Sequence, residues 1–464
     1  MAPPLIRGEE HGNAGTSRRA TRGPGPERQR PRFRQPDGNK LPLQSAGSGR
    51  AADAPGREIE ASDHRNAGRS LRPTRSGRRR RCRSSCRPAG EVPGVIARSR
   101  QRHWTAWNVA LTGINARPDN PGPGCAVARC LRQTTAFRGQ LVGLAYAALD
   151  AGLYLRESCD SGHLLPYPAT GAAALLERLD EILRDHPVDA IVPCLDAELP
   201  NFIAIEGALE QRGIHLLLPR RRQLRRRDKD RLPALAAAAG VATPPVQCLG
   251  DERFFDHCGA DGWDYPLVVK GACYDAYVVH SAQEARQRYR QMVANWGYPV
   301  LVQKFVHGDE INLTALGDGS GTMIGEVMMR KQALTDKGKA WAGVAIDDRQ
   351  LLEAGRRLFD ALKWRGPLEI EMLRDDAGTL QLIEINPRFP AWIYLAHGVG
   401  RNLPAALLAL LHGARPGQLE LAPPRPGITF IRHAQESIVT LDEIANLAVS
   451  GSSSGSHALA SRAA

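Results

Sequence analysis

Between Trp107 and Pro219 the sequence alternates short apolar runs with longer amphipathic ones. Runs of strand length occupy 108–116, 140–146, 188–196 and 214–219, and runs of helix length occupy 171–186 and 198–213. Strands that alternate with helices form a parallel sheet, because each helix carries the chain back over the sheet to the next strand. The sequence therefore predicts an α/β domain over residues 104–220.

Polar residues follow two of these predicted strands. Asn115 lies near the end of the first strand, Asp196 is the last residue of the strand at 188–196, and Glu198 follows it. Ligands of parallel sheets bind at the carboxyl ends of the strands, so these three side chains are candidates for a site. The glycine-containing loop at 117–124 lacks the GxGxxG pattern, and we do not expect a dinucleotide there.

Beyond Pro219 the pattern changes to hairpins interspersed with helices. A basic helix is predicted to end at Gly240, and later helices at 281–297 and 349–364. Strands are predicted at 265–271, 276–281 and 321–334, and the segment 299–318 is predicted to form two strands separated by a turn at Gly308. A flexible Lys/Gly stretch at 335–343 and a hairpin at 366–388 follow. This arrangement indicates an α+β region over 221–445, followed by a disordered tail over 446–464.

The hairpin at 366–388 carries charged residues that are difficult to explain as simple solvated surface. Glu384 and Asn386 lie two residues apart in an alternating run, so both point to one face of the strand, and Arg388 continues that face. Glu371 lies seven residues before Gly378 and Glu384 six after it, so the folded hairpin places them roughly abreast. Carboxylate and amide oxygens of this kind suit Mg²⁺.

With these motifs, residues 107–440 resemble the ATP-grasp ligase superfamily, in the branch of the carbamoyl phosphate synthetase large chain and biotin carboxylase. The resemblance implies a Rossmann-like pre-ATP-grasp domain followed by two α+β lobes that clasp ATP. It also implies ATP and Mg²⁺ (or Mn²⁺) as cofactors. The implied phosphate contacts are Lys229 and Lys270, the adenine contacts are Gln303, Lys304, Phe305 and Val306, the ribose contact is Glu310, and the metal ligands are Glu371, Glu384 and Asn386.

The predicted reaction site consists of Lys270, Arg388 and Lys331. Arg388 and Lys270 would stabilise charge on the transferred phosphoryl group, and Lys331 or its neighbour Arg330 would hold substrate or acyl phosphate. Glu369 shares the Glu371 face and is an alternative first metal ligand. The glycine-rich phosphate loop of the family is replaced here by "GACYDAYVV" at 271–279, so phosphate contacts from that backbone are not expected.

The resemblance implies an ADP-forming carboxylate–amine ligase, in which a carboxylate attacks the γ-phosphate and an amine captures the acyl phosphate. Two alternatives remain open. The first is a bicarbonate-using carboxylase or carbamoyl-phosphate-forming enzyme, although the chain has one ATP-grasp unit and about 76 residues after Arg388. The second is a non-catalytic nucleotide-binding partner. The expected partners are a small carboxylate and an amine, with a homodimer as the usual assembly.

The formal charge of +13 is confined to the first hundred residues. They contain 23 Lys and Arg and nine Asp and Glu, whereas the remainder contains 39 and 40. We interpret residues 1–103 as a disordered extension, an overlong reading of the gene start or, less simply, a transit peptide or nucleic-acid-binding arm. Nucleic acid is not an expected partner of the folded part. The isolated cysteines and the lack of a long apolar stretch predict a cytoplasmic protein with no membrane span.

Overall fold

The computed structural model describes residues 102–453 except for 120, 273–274 and 336–337, and all of these lie within one compact unit of the chain. The predicted extension over 1–103 falls outside the described residues apart from its last two positions. Three sheets organise the described chain, one at the front of the sequence and two in the predicted α+β region. Within the described ranges no helix is long and apolar enough to cross a membrane.

The front sheet is built on four parallel strands, in the order β3, β2, β1, β4. Its strands are β1 (Val109–Leu111), β2 (Leu141–Ala145), β3 (Ser161–Leu164) and β4 (Ala190–Val192). Its helices are α1 (Gly124–Arg132), α2 (Ala172–Asp185) and α3 (Leu199–Gln211). The α/β prediction is confirmed. The predicted strand at 214–219 contributes only an isolated bridge from His215 to Ala190, and β3 was missed because its few residues are flanked by turns.

A second, four-stranded antiparallel sheet follows two short helices. The single basic helix predicted to end at Gly240 is two helices, α4 (Arg221–Arg226) and α5 (Leu232–Ala239), with Lys229 in the turn between them. The strand order is β5, β8, β6, β7. These strands are β5 (Val246–Leu249), β6 (Leu267–Gly271), β7 (Ala276–Val279) and β8 (Val300–Lys304), and the helices are α6 (Phe254–His257) and α7 (Ala282–Trp296).

The third sheet has six antiparallel strands in the order β13, β12, β9, β10, β11, β14. Its strands are β9 (Gly308–Asp318), β10 (Met323–Leu334), β11 (Ala340–Ile346), β12 (Arg365–Asp375), β13 (Leu380–Asn386) and β14 (Thr429–Ile431), and helix α8 (Arg349–Leu362) covers one face. The prediction of a flexible stretch over 335–343 is wrong for its last four residues, 340–343. Ala340, Ala342 and Gly343 pair with β10, and the apolar alternation there was overlooked.

The C-terminal segment returns to the front sheet. Helices α9 (Tyr394–Gly398) and α10 (Leu403–Leu411) share a hydrophobic core with α1, and Asn402 donates to the carbonyl of Cys130 at 2.7 Å. Helix α11 (Leu441–Ser450) then leads into β15 (Ser452–Ser453), which pairs with β3. The predicted disordered tail over 446–464 is therefore wrong for 446–453, because tertiary pairing orders a Ser- and Gly-rich segment that composition alone favours as loop.

Candidate active site

The hairpin of β12 and β13 has the register that the spacing around Gly378 predicts. Glu371 lies opposite Glu384, and Glu369 lies opposite Asn386. A register shift follows Glu371, where one residue of β13 is skipped. Since cross-strand neighbours share a face, the two predicted carboxylate ligands and the amide are brought together on one side of the sheet.

Glu369, the alternative metal ligand, is buried and fully engaged by protein donors. Its Oε1 accepts from Asn312 Nδ2 at 2.9 Å and Trp392 Nε1 at 2.6 Å. Its Oε2 accepts from Asn386 Nδ2 at 3.0 Å and Arg388 Nη1 at 3.3 Å. The side chain is 5% exposed, and burial raises the pKa of this carboxyl. Glu369 therefore orients Asn386 and Arg388, and Glu371 is the better candidate ligand.

Glu371 lies among cations. Lys331 Nζ lies 3.2 Å from its carboxylate and also contacts Glu310, and Asn386 Nδ2 donates to it at 2.8 Å. Burial would raise the pKa of Glu371, but Lys331 and Lys339 outweigh it and lower that pKa to about 2. For Lys331, burial is likewise outweighed by Glu371 and Glu310, and its pKa is raised. These residues form a charged cluster on one face of the hairpin.

Lys229 and Lys270 approach the hairpin from outside its sheet. Lys229, in the turn between α4 and α5, places Nζ 3.3 Å from Glu384 Oε1. Lys270 lies on β6, where burial lowers the pKa of its ammonium to about 8. Glu384 raises that pKa, whereas Lys229 lowers it further. Both predicted phosphate contacts thus lie near the predicted metal ligands.

The predicted adenine contacts lie where β8 ends. Gln303 is buried on β8, and the exposed Phe305 and partly buried Val306 follow the strand. The backbone N–H of Lys304 donates to the carbonyl of Pro245 at 3.0 Å, and its ammonium lies 5.7 Å from the centre of the Trp263 ring. The N–H of Lys304 is thus already used, and other groups of the Lys304–Val306 backbone would have to bind the adenine edge. The carbonyl of Lys304 and the N–H of Val306 remain suited to hydrogen bonds with the edge of the adenine base.

Arg388 connects the hairpin to the front sheet. Its Nε donates to Asp196 Oδ1 at 2.9 Å, and Asp196 Oδ2 lies 3.6 Å from Arg227 Nη1. The two carboxylates Asp196 and Glu369, both in contact with it, raise the pKa of the guanidinium although burial alone would lower it. The strand-end rule identified Asp196. Arg227 was missed because it stands in a run of eight residues that includes six arginines, and nothing in the run distinguishes it.

Other predicted candidates lie elsewhere. Arg330 is half exposed and pairs with Asp309 at 3.8 Å, away from the Glu371 cluster. Asn115 accepts from the backbone of Gly122 at 2.7 Å and organises the loop after β1. Glu198 is buried and accepts from Tyr146, Thr112 and two backbone N–H groups, and burial raises its pKa. Its role is structural. In the loop that replaces the family's glycine-rich segment, 273–274 lie outside the described residues.

A metal ion at the hairpin would be held by oxygen donors. In the parts of the chain that the structure covers, no group of three or more His, Cys, Asp or Glu side chains is arranged to hold one. The predicted metal ligands Glu371, Glu384 and Asn386 are not such a group, because they comprise two carboxylates and one amide oxygen. Asn386 uses Nδ2 towards both Glu369 and Glu371, which leaves Oδ1 as its acceptor. Two facing carboxylates and an amide oxygen fit the oxygen preference of Mg²⁺.

Parts of the chain are similar in sequence to known proteins. Residues 298–435 match a family model described as ATP-grasp in the biosynthetic pathway with Ter operon. The vancomycin/teicoplanin A-type resistance protein VanA of Enterococcus faecium is 24% identical over 180 residues, which is 34% of this chain and 51% of VanA. The chain thus spans about half the length of that curated relative.

Solved structures resemble the chain over a larger part of its length. Biotin carboxylase from Campylobacter jejuni aligns with a TM-score of 0.52 and 17% identity over 68% of this chain and 74% of that one. The L-amino acid ligase from Bacillus licheniformis aligns with a TM-score of 0.51 and 17% identity over 70% of this chain and 78% of the ligase. At these identities the likeness concerns the fold. The family match over residues 298–435 and the shared architecture of the solved structures agree that the chain has an ATP-grasp fold.

Proposed function

We propose that the protein is an ADP-forming ligase that uses ATP and Mg²⁺ to join a small carboxylic acid to an amine. The observation that carries the proposal is the pairing of Glu371 with Glu384 across the hairpin, with Asn386 on the same face. Lys229, Lys331 and the lowered-pKa Lys270 lie around this group. Such a balance of carboxylates and cations suits a polyphosphate bound through a divalent ion.

The nucleotide would lie between the second and third sheets. Gln303 and the backbone around Val306 would bind adenine, Glu310 the ribose, and Lys229 and Lys270 the phosphates. Glu371, Glu384 and Asn386 would hold Mg²⁺, which neutralises phosphate charge when bound. Lys331 contacts Glu310 and Glu371 at once, so it links the ribose end to the metal end.

The chemical step needs positioning more than acid–base catalysis. A carboxylate oxygen of the acid attacks the γ-phosphorus, the bond to ADP breaks, and an acyl phosphate forms. The amine nitrogen then attacks the acyl carbon, phosphate leaves with the bonding electrons, and the nitrogen loses a proton. Arg388, fixed by Asp196 and Glu369, would stabilise charge on the transferred group together with Lys270.

ATP cleavage tests the proposal. Incubation with Mg²⁺-ATP, hydroxylamine and pools of small carboxylic and amino acids should release ADP and phosphate and trap the activated acid as a hydroxamate. Release of AMP and pyrophosphate would contradict the proposal. Bicarbonate-stimulated ADP release without any hydroxamate would favour a carboxylase. ATP binding without turnover in any pool would favour a non-catalytic partner.

The assembly and location are part of the proposal. The solved relatives include a biotin carboxylase domain from Hydrogenobacter thermophilus that is described as a dimer, with a TM-score of 0.51 to this chain. We infer a cytoplasmic enzyme with small-molecule substrates and a homodimeric assembly. Sedimentation equilibrium of the full chain measures the mass of the assembly directly.

A further inference from the structure

Three charged side chains from distant parts of the sequence converge beside the hairpin. Asp196 follows β4 of the front sheet, Arg227 is the C-cap residue directly after α4, and Arg388 follows β13. Asp196 lies between the two guanidiniums, 2.9 Å from Arg388 Nε and 3.6 Å from Arg227 Nη1. We call this group the Asp196 cluster. Neither the sequence nor the family comparison assigned Arg227 a role.

The two arginines of the Asp196 cluster are held by protein acceptors to different degrees. Two guanidiniums share one carboxylate, and the other carboxylate on Arg388 is Glu369, whose acceptors are also used by Asn312, Trp392 and Asn386. Arg227 is 17% exposed, and its Nε is buried with no hydrogen-bond partner among the described residues. A buried donor without an acceptor is costly, and in native proteins it usually has a specific explanation. The unused donor and the long contact to Asp196 leave Arg227 able to bind a further acceptor, such as an anion.

The Asp196 cluster lies next to the expected phosphate end of the site. Lys229 is two residues after Arg227 and contacts Glu384, which is four residues before Arg388. The turn after α4 therefore contacts the hairpin through Lys229 and the front sheet through Arg227. An anion bound at Arg227 would lie between the front sheet and the γ-phosphate, where the attacking carboxylate of a ligase has to be.

We propose that Arg227 binds the reacting carboxylate of the acid substrate. This inference rests on the proposed ligase function and adds a substrate-binding residue to it. The planar guanidinium fork matches the two oxygens of a carboxylate, whereas a lysine would offer a point charge. Arg388 then remains available to the transferred phosphoryl group, and Asp196 keeps both arginines in place through its two oxygens.

Steady-state kinetics of three variants test this assignment, with the acid identified by the hydroxamate screen as the probe. Arg227→Gln should raise KM for the acid by about tenfold to a hundredfold, the range expected for lost hydrogen bonds to a charged group, and leave KM for ATP within twofold. Arg227→Lys should give a smaller rise. Arg225→Gln is the matched control, because Arg225 is exposed on the short helix that precedes Arg227, and it should behave as wild type.

Direct binding separates recognition from stability. Isothermal titration of the acid into full-length protein saturated with a non-hydrolysable ATP analogue and Mg²⁺ should show the same loss for Arg227→Gln, with an unchanged thermal midpoint. A KM and an affinity for the acid within twofold of wild type would overturn the inference. Equal losses for the acid and for ATP would also overturn it, since Arg227 would then be structural. If Arg227→Gln fails to fold, the same criteria apply to Arg227→Lys.

The outcomes for the two proposals are distinct. If the wild-type protein forms no hydroxamate from any pool, the ligase function fails before the variants are compared. If the wild type turns over and Arg227→Gln matches it, only the role of Arg227 fails.

Discussion

Raising the pH from 7 to 9 should weaken ATP binding through a single side chain, Lys270. Burial lowers the pKa of its ammonium to about 8, with Lys229 acting in the same direction against the favourable charge of Glu384. A lysine with this pKa is about 90% charged at pH 7 and about 10% charged at pH 9. If phosphate binds the charged form only, the affinity for ATP falls by about tenfold over this range. The phosphates of ATP are already ionised here, because their last pKa is near 6.

The sign of the effect gives two further observables. Bound phosphates favour the charged lysine, so ATP binding at pH 8.5 should take up protons, as measured by titration calorimetry in buffers of different ionisation enthalpy. In the free protein the lowered pKa means that the folded state binds fewer protons than the unfolded state between about pH 8 and about pH 10.5. The contribution of Lys270 to stability therefore becomes more favourable as the pH rises through that interval.

Two variants isolate the residue. Lys270→Arg keeps its charge at pH 9, so its affinity for ATP should vary little with pH. Lys270→Met should bind ATP weakly at both pH values and take up no proton. An affinity of the wild type that is constant from pH 7 to pH 9, or a Lys270→Met variant with the wild-type pH profile, would refute the assignment of Lys270 to the phosphates.

Three substitutions test other parts of the structure. Glu384→Gln should abolish Mg²⁺-dependent ADP release and leave the urea midpoint nearly unchanged, because its carboxylate is 30% exposed; persistent turnover would exclude it as a metal ligand. Glu369→Gln should lower the free energy of unfolding by about 2–4 kcal/mol, because two of the four groups that donate hydrogen bonds to Glu369 lose their acceptor. An unchanged urea midpoint would contradict the orienting role of Glu369. Arg178→Ala should cost about 1–3 kcal/mol in urea unfolding, because Arg178 binds the carbonyls of Leu164 and Gly451; a loss below about 0.5 kcal/mol would mean that β15 is held by its strand pairing alone.

The sequence predicted the parts of the site that depend on local geometry. The pairing of Glu371 with Glu384 follows from counting residues on either side of Gly378, because the position of a hairpin turn determines which residues of the two strands lie opposite each other. The strand-end rule likewise identified Asp196, since the carboxyl end of a parallel strand is a common place for functional side chains. Both predictions needed only strand periodicity and turn position.

Contacts between distant segments were not accessible to the same reasoning. The engagement of Glu369 depends on Asn312 and Trp392, which lie 57 and 23 residues away, and no periodicity connects them. The use of the Lys304 N–H by Pro245 depends on how β5 pairs with β8. Ordering of 446–453 depends on the free edge of β3, which local composition does not reveal.

The core shared by the front sheet and the C-terminal helices affects how this chain can fold during its synthesis. Val127 and Leu131 of α1 pack in one cluster with Ile393 and Leu403, which the ribosome adds more than 260 residues later. Until then one face of the front domain has no apolar partner, although domains generally fold in order from the N-terminus. We expect the nascent front domain to remain unstable, and to depend on chaperones, until α9 and α10 have emerged.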